Sequence, residues 1–414
     1  MRIIIAGQTY YPAFNGQSIF TRNLAEGLAQ RGHQVLVAVP FTPSRDPRSA
    51  GSKVQIKGIK SIPLAFLHPD ATYPLSVGRE VRQVIKEFQP EIIHIHDHYP
   101  ISRAMVSMAR ANDIKVVGTN HFMPENLTPY LPLPGSFKIG VHWILWQWML
   151  TLYNQLDLVT APSRTAAAIL RLQGLKPRVY SISCGVDTAR FHPDRSLDRE
   201  SWRSRYGFDE NRTLFLFVGR VDGEKRLDVI IRAFHKLGRK DIQLGIIGRG
   251  AAQGKFQALV RELGMQEVVH FTGFVPGEDL PSLINSADIF AMPSEAELLS
   301  IATIEAMACG LPILAARAQA LPELVTNGEN GYLFRAGDID DAMRSIALLA
   351  DRPERFPSMG EVSLKKVQVH GLERTLQSYE KLYEMVCSRV PAANLKKHPR
   401  SRRLTKHSAR GLFD

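Results

Sequence analysis

Two glutamates stand eight residues apart in a segment that follows a short apolar run and leads into a predicted helix. Glu297 lies in the loop before this helix, and Glu305 lies about two turns inside it, ahead of a predicted end at Gly310. Carboxylates accept charge-assisted hydrogen bonds from neighbouring hydroxyls, and the helix N-terminus near Ser300 offers free backbone N–H groups to a phosphate. The segment predicts a site for a hydroxylated, phosphorylated ligand, although a glutamate on a helix is often part of a solvated face.

Two basic residues follow another short apolar run. Arg220 comes directly after Gly219, and Lys225 precedes a predicted helix over Arg226–Leu237. The helix dipole disfavours a lysine at a helix N-terminus, so this position favours a bound anion nearby. An ordinary surface lysine is the alternative interpretation.

Histidines occur at the ends of two predicted strands. His94, His96 and His98 alternate, which places them on one face of a strand end, and metal binding is one interpretation. No cysteine or second carboxylate cluster supports such a site, so we predict no metal. His121 ends the following strand, where a buried structural histidine is the alternative to a ligand-binding one.

Short apolar runs that alternate with helical patterns must position these residues. Such runs suit parallel strands covered on both faces, and the rhythm starts again near Leu214. We therefore predict an α/β protein of two Rossmann-like, doubly wound parallel-sheet domains that face a cleft at the carboxyl ends of their strands. The predicted strands are Arg2–Ala6, Gln34–Val39, Ile92–Ile95, Lys115–Gly118, Leu158–Thr160 and Val179–Ser183, then Leu214–Val218, Gln243–Ile247, Val268–Phe271, Ile289–Met292 and Pro312–Ala315.

The predicted domains cover residues 1–190 and 191–365. A helix over 366–390 is expected to pack back on the first domain, and a basic segment with few apolar residues over 391–414 is typical of a disordered tail. The boundary rests on the interrupted pattern between Gly185 and Tyr206.

Composition limits the partners and the compartment. The 414 residues carry a formal charge of +12 with a pI near 9.6, which indicates nucleic acid, an anionic membrane surface or a phosphorylated substrate. The three cysteines lie far apart, as in a reduced cytoplasmic protein. The most apolar stretch, Phe137 to Tyr153, falls short of the roughly 20 residues of a membrane span. We predict no transmembrane helix.

The spacing of Glu297 and Glu305, followed by Ala306 to Gly310, resembles the hallmark of the retaining glycosyltransferases of family 4, which have the GT-B fold. The resemblance covers nearly the whole chain and several motifs in the family's order. These are Gly219-Arg220 with Lys225, Gly248-Arg249-Gly250, Gly273-Phe274-Val275 and Cys184-Gly185-Val186-Asp187. It implies a nucleotide-diphosphate sugar that binds the second domain and an acceptor that binds the first.

The resemblance also implies roles for individual residues. Arg220 and Lys225 would hold the donor diphosphate, Glu297 would bind sugar hydroxyls, and Glu305 would bind the ribose. His121 would contact the transferred sugar. The remaining expected donor-binding residues are Gly16, Gly248, Phe274, Val275, Leu298, Leu299 and Ser300.

Two departures from the family pattern leave details open. The segment Leu298-Leu299-Ser300-Ile301 stands where many members have glycines and a phenylalanine, which leaves the sugar open, and Gln17 replaces a second glycine after Gly16. Because family members retain anomeric configuration, the leaving phosphate oxygen can receive the acceptor proton. Neither a protein base, a metal nor a cofactor is then expected, and catalysis rests on positioning and electrostatic stabilisation.

Tryptophans in the first domain bear on the acceptor. Trp143, Trp146 and Trp148 lie in one predicted helix, and tryptophan and basic residues both favour anionic membrane interfaces. With the basic tail, they predict a lipid acceptor such as diacylglycerol or phosphatidylinositol, reached by a cytoplasmic protein peripheral to the inner face of the plasma membrane. The alternative is that these tryptophans are core residues of one helix.

Other functions stay open at this point. The acceptor could be soluble or a polysaccharide, or the chain could be a sugar-nucleotide 2-epimerase, which shares the fold and needs no acceptor. A basic, non-enzymatic protein that binds nucleic acid or membrane would share the tail, but it would not need Arg220, Lys225, Glu297 and Glu305 together. We expect a nucleotide sugar and a membrane surface as partners, and no nucleic acid.

Overall fold

The structure is a computed structural model that describes residues 1–10, 15–41, 53–63, 72–124 and 135–388. It contains two compact α/β units. The first comprises Met1–Pro124, Leu133–Ile182 and the chain from Leu376 onward, and the second includes Ser183–Thr375. The division lies between Ile182 and Ser183, so the segment from Gly185 to Phe191, assigned mostly to the first domain from sequence, belongs to the second unit. The predicted basic tail lies outside the described residues.

The first unit is built on an eight-stranded sheet of order β4-β3-β2-β1-β5-β6-β7-β8. All neighbouring strands are parallel except β3 and β4, which pair antiparallel. The strands are β1 (Arg2–Ala6), β2 (Gln34–Phe41), β3 (Gln55–Pro63), β4 (Thr72–Pro74), β5 (Ile92–Ile95), β6 (Lys115–Thr119), β7 (Leu158–Ala161) and β8 (Val179–Ser181). The strand order reverses between β1 and β5. Ligands of doubly wound sheets bind beyond the carboxyl ends of the strands at such a switch point.

Helices cover this sheet. They are α1 (Gly16–Gln30), α2 (Val77–Phe88), α3 (Pro100–Ala111), α4 (Gly135–Tyr153) and α5 (Arg164–Leu172). Helix α1 begins directly after Asn15, whose side chain accepts from Ser18 N while the Ser18 hydroxyl receives the Asn15 N–H, a reciprocal capping box. The capping box fixes where α1 begins, near the carboxyl end of β1.

The second unit is built on a six-stranded, wholly parallel sheet of order β11-β10-β9-β12-β13-β14, with its switch point between β9 and β12. Its strands are β9 (Thr213–Val218), β10 (Ile242–Ile247), β11 (Val269–Gly273), β12 (Ile289–Met292), β13 (Ile313–Arg317) and β14 (Gly331–Arg335). Its helices are α6 (Arg199–Arg205), α7 (Leu227–Leu237), α8 (Gln253–Glu262), α9 (Leu280–Ser286), α10 (Ile301–Ala308), α11 (Leu321–Leu324), α12 (Ile339–Ala350) and α13 (Phe356–Val367).

Helix α14 (Leu372–Cys387) begins in the second unit, and from Leu376 it belongs to the first. There Tyr379 and Tyr383 are fully buried. The Tyr383 hydroxyl lies 2.7 Å from His94 Nδ1, and the Tyr379 hydroxyl lies 3.1 Å from Thr119 Oγ1. The helix therefore completes the core beside β5 and β6.

The prediction of two doubly wound parallel sheets is confirmed. Every predicted strand is present within a few residues of its expected bounds, while β3, β4 and β14 were not predicted from sequence. Strand β3 mixes isoleucines with lysines, unlike the uninterrupted apolar runs of the central strands. Across the described residues, every helix is too short or too polar to cross a membrane.

Candidate active site

Two loops follow the central strands of the second sheet, where ligands of doubly wound sheets bind. One loop follows β9 and carries Arg220 and Lys225, and the other follows β12 and carries Glu297. Lys225 Nζ lies 2.6 Å from Glu297 Oε1, and the two side chains are only 14% and 11% exposed. The structure thus joins a cation and a carboxylate that stand 72 residues apart in the chain.

The backbone around Lys225 differs from the sequence-based expectation. Lys225 ends a short 3₁₀ turn, Gly223–Lys225, and Arg226 has a φ of 47°, so α7 begins only at Leu227. The helix dipole at Lys225 was therefore not a sound argument for a bound anion. The turn is held instead by the β12 loop, because Glu295 N donates to Glu224 O at 3.0 Å.

Arg220 is oriented by two carboxylates that the sequence analysis did not single out. Its guanidinium lies 2.8 Å from Asp222 Oδ2 and 3.1 Å from Glu224 Oε1, and both acids are nearly buried. Burial raises the pKa of Glu224 even though Lys225 and Arg220 oppose the shift. Asp222 Oδ1 also accepts from Ala251 N at 2.9 Å, which ties this loop to the one after β10. In the sequence, the alternation of acids at Asp222 and Glu224, just before Lys225, was the one signal that could have indicated these partners of Arg220.

Helix α10 carries Glu305 just over one turn in, not two as predicted. Ser300 caps the helix by accepting from Thr303 N at 3.3 Å. Glu305 is 9% exposed, and burial raises its pKa to about 7, with nearby Arg190 acting in the opposite direction. Glu305 is thus a buried acid and not part of a solvated face. Arg190, which also donates to Gly277 O, was not predicted as a site residue.

The remaining predicted donor-site residues fall into two groups. Leu298, Leu299 and Ser300 are buried between Glu297 and α10, whereas Val275 is 7% and Phe274 49% exposed after β11. Gly248 has a φ of 127°, and a Cβ there would overlap the carbonyl oxygen of Gly219. Gly248 therefore allows the ends of β9 and β10 to approach closely.

The first unit holds the other two predicted residues. Gly16 opens α1, and His121 follows β6. The Nε2 atom of His121 is buried without a hydrogen-bond partner among the described residues, and burial lowers the pKa of this imidazole to about 3. His121 is therefore neutral at physiological pH.

The three histidines in and just after β5 do not form one cluster. His94 and His96 have ring centroids 4.4 Å apart, but His98 packs instead against Tyr99, Phe122 and Trp148. Within the described part of the chain, no group of three or more His, Cys, Asp or Glu side chains is placed to hold a metal ion.

Profiles of known families match both units. The profile described as Glycosyl transferases group 1 matches residues 198–364, and the profile Glycosyltransferase Family 4 matches residues 14–190. Together they span most of the chain. The chain belongs to the family 4 glycosyltransferases. The paired glutamates, the Arg220–Lys225 loop and His121 all lie within these matches.

Curated relatives of this glycosyltransferase include enzymes named for mannosyl and glycolipid transfer. The GDP-mannose-dependent α-(1-6)-phosphatidylinositol monomannoside mannosyltransferase of Mycolicibacterium smegmatis is 35% identical over 50% of this chain and 56% of its own length. The chain thus spans little more than half of that relative. A GDP-mannose-dependent α-mannosyltransferase of Corynebacterium glutamicum is 28% identical over 84% of this chain and 80% of its own. The Arabidopsis thaliana sulfoquinovosyl transferase is 28% identical over 73% of this chain and 58% of its own.

Solved glycosyltransferase structures share the fold. Sucrose-phosphate synthase from Thermosynechococcus elongatus superimposes with a TM-score of 0.75 at 19% identity, over 94% of this chain and all of that chain. The Anabaena protein HepE, solved with UDP-glucose, gives a TM-score of 0.75 at 18% identity, over 92% and 98% of the two chains.

Proposed function

We propose that this chain transfers a hexosyl group from a nucleotide-diphosphate sugar to a membrane lipid, with retention of anomeric configuration. The observation that carries the proposal is the Lys225–Glu297 pair, 2.6 Å apart at the switch point of the second sheet, with Arg220 on the same loop as Lys225. A cation beside a carboxylate meets the two chemical parts of such a donor. The lysine suits the diphosphate, and the glutamate suits the sugar hydroxyls.

The charges of this site are held in place before any ligand binds. Acidic partners hold Arg220 and Lys225, and those acids are themselves largely buried. Fixed cations stabilise the negative charge that grows on a departing nucleoside diphosphate, and they do so without reorganising during the reaction. In this proposal the leaving phosphate oxygen accepts the acceptor's proton, and neither a metal ion nor a cofactor takes part.

GDP-mannose is the donor that we propose first. Relatives from Mycolicibacterium smegmatis and Corynebacterium glutamicum are named as GDP-mannose-dependent enzymes, and the first of them is the most identical of those compared above. UDP-glucose is the alternative donor, because HepE binds it on the same fold. Leu298 and Leu299 are buried where many family members have glycines. The residues proposed to surround the sugar therefore differ from those of many members.

The lipid acceptor is supported by the surface of α4. Trp143 and Ile144 are 64% and 57% exposed, and Trp148 is 39% exposed, whereas Trp146 is buried at 4% and belongs to the core. The core interpretation therefore applies to Trp146 but not to its neighbours. Exposed tryptophans favour the membrane interface, and the net charge of +12 favours anionic lipids. We propose peripheral binding at such a surface, with a phosphatidylinositol-type or diacylglycerol acceptor.

A transfer assay tests the proposal. GDP-mannose and UDP-glucose, each labelled in the sugar, are incubated with the protein and vesicles containing phosphatidylinositol, diacylglycerol or neither, with and without EDTA. We expect label in a lipid product from one donor, unaffected by EDTA, and at least a hundredfold loss with Glu297→Gln, about the scale of one lost transition-state contact.

Other outcomes would contradict the proposal in distinct ways. Release of free nucleotide without a lipid product, together with an altered sugar, would indicate an epimerase. Transfer only to soluble sugars would remove the lipid acceptor, and loss of transfer with EDTA would remove the metal-independent mechanism. An inverted anomeric product by NMR would remove retention.

A further inference from the structure

A buried hydrogen-bond chain in the first unit fixes the protonation of His96. Thr21 Oγ1 lies 2.8 Å from the carbonyl oxygen of Gln17 and 2.7 Å from His96 Nδ1. A carbonyl oxygen can only accept, so the single hydroxyl hydrogen of Thr21 points to Gln17. Thr21 must then accept from His96, which places the proton of His96 on Nδ1.

The other nitrogen of His96 is consequently a hydrogen-bond acceptor. Burial lowers the pKa of this imidazole well below its usual value, so the ring is neutral and Nε2 carries a lone pair. Nε2 is buried and has no partner among the described residues. Leaving a buried acceptor unsatisfied costs about 1–3 kcal/mol, so a donor is expected nearby.

Among the described residues, three rings lie against His96, and one of them can supply that donor. Phe20, with its centroid 5.0 Å away, has no polar atom. His94, at 4.4 Å, already uses Nδ1 with Tyr383 and Nε2 with Thr119, both at 2.7 Å. His121 lies 5.8 Å away at an interplanar angle of 67°, and its own Nε2 is buried and unpartnered.

We propose that Thr21 and His96 are positioning residues that set the tautomer of His121. With a lone pair on His96 Nε2, the complementary form of His121 carries its proton on Nε2 and donates it to His96 through one bridging water molecule. Its Nδ1 is then a lone pair that accepts a hydrogen bond from a hydroxyl of the ligand. Phe20 holds both rings, because it is 1% exposed and its centroid lies 4.8 Å from that of His121.

The consequence for transfer rests on the proposed function, whereas the tautomers themselves do not. If His121 meets the donor sugar, an acceptor at Nδ1 selects a sugar that presents a hydroxyl there, and a deoxy or fluoro analogue at that position loses the contact. The Nδ1–H form of His121 would present a hydrogen-bond donor at this atom instead. The Thr21 hydroxyl therefore decides whether the sugar meets a donor or an acceptor at His121 Nδ1.

Nitrogen-15 NMR of histidine-labelled protein tests the tautomers without any substrate. Long-range correlations distinguish Nδ1–H from Nε2–H, and His96→Gln and His121→Gln variants assign the signals. We expect His96 as the Nδ1–H form and His121 as the Nε2–H form in the unmodified protein. The opposite tautomer at either ring would overturn the proposal, whatever the outcome of activity assays.

Substitutions at Thr21 then test the coupling. Thr21→Val removes the hydroxyl at constant shape, so neither His96 nor His121 should keep a single fixed tautomer. We expect kcat/KM to fall about tenfold, the scale of one hydrogen bond. Thr21→Ser keeps the hydroxyl and should restore both. Thr160→Val removes a buried hydroxyl that bonds Thr119 and Tyr379 instead, and it should leave the His96 and His121 signals unchanged. Unchanged tautomers in Thr21→Val would refute the coupling.

Discussion

Glu305→Gln is expected to make the protein more stable and its donor binding weaker. Burial raises the pKa of Glu305 from 4.5 to about 7, and one pKa unit corresponds to about 1.4 kcal/mol. The native state binds a proton more tightly than the unfolded state, so the stabilisation is full below about pH 4.5 and is lost as pH rises through 7. Glutamine does not ionise and avoids this loss.

The size of the effect follows from the same shift. Relative to the unmodified protein, the variant should gain roughly 2–3 kcal/mol in free energy of unfolding between pH 5 and pH 8. Urea unfolding at the two pH values measures this gain. Glu361→Gln, at an exposed position on α13, is the matched control and should show no pH-dependent difference. A stability difference for Glu305→Gln that is constant with pH would refute the reasoning.

The same substitution should weaken the donor. Hydrogen bonds to an ionised carboxylate exceed neutral ones by about 1 kcal/mol, so affinity for the nucleotide sugar should fall about fivefold at pH 8. In the unmodified protein, affinity should fall as pH drops through 7, and this dependence should disappear in the variant. Calorimetric titration at pH 6 and pH 8 measures both. Equal affinities of the two proteins at pH 8 would remove Glu305 from the ribose site.

Three further substitutions probe the fold and the membrane surface. Gly248→Ala should destabilise the second unit by more than about 2 kcal/mol, because of the positive φ and the overlap with Gly219; a near-normal urea midpoint would contradict this. Arg203→Met should cost about 1–3 kcal/mol, since it removes the buried guanidinium 2.7 Å from Asp288 while Arg199 still pairs with that carboxylate, and an unchanged urea midpoint would contradict this. Trp143→Ser should weaken binding to anionic vesicles in a sedimentation assay while binding to the nucleotide sugar is unchanged; equal sedimentation would exclude α4 from the membrane contact.

The central strands were predictable because strands buried on both faces require uninterrupted apolar runs. β1, β5 and β12 have the bounds that were expected from sequence. β3 was missed because it mixes isoleucines with lysines, and β4 because three residues carry too little pattern. The place of these two strands at one end of the sheet does not follow from local sequence.

The site was only partly predictable. The contact between Lys225 and Glu297 joins loops far apart in sequence, and only the resemblance to family 4 brought the two residues together. The burial of Glu305 had a local signal, because α10 is apolar on all sides and such helices lie in cores. The acids that hold Arg220 had only a weak signal, their alternation at Asp222 and Glu224, and the Thr21–His96 chain depends on side-chain distances that no spacing reveals.

Binding of the nucleotide sugar to Lys225→Ala tests the central claim most directly. Lys236→Ala is the matched control, because Lys236 forms an exposed ion pair with Asp340 elsewhere in the second unit. Removing one charge-assisted contact to the diphosphate should weaken the affinity for GDP-mannose about 10- to 100-fold, and circular dichroism should show that the fold is retained. The account predicts this loss for Lys225→Ala and none for Lys236→Ala. The account would be contradicted if Lys225→Ala and Lys236→Ala both bound GDP-mannose as tightly as the unmodified protein does.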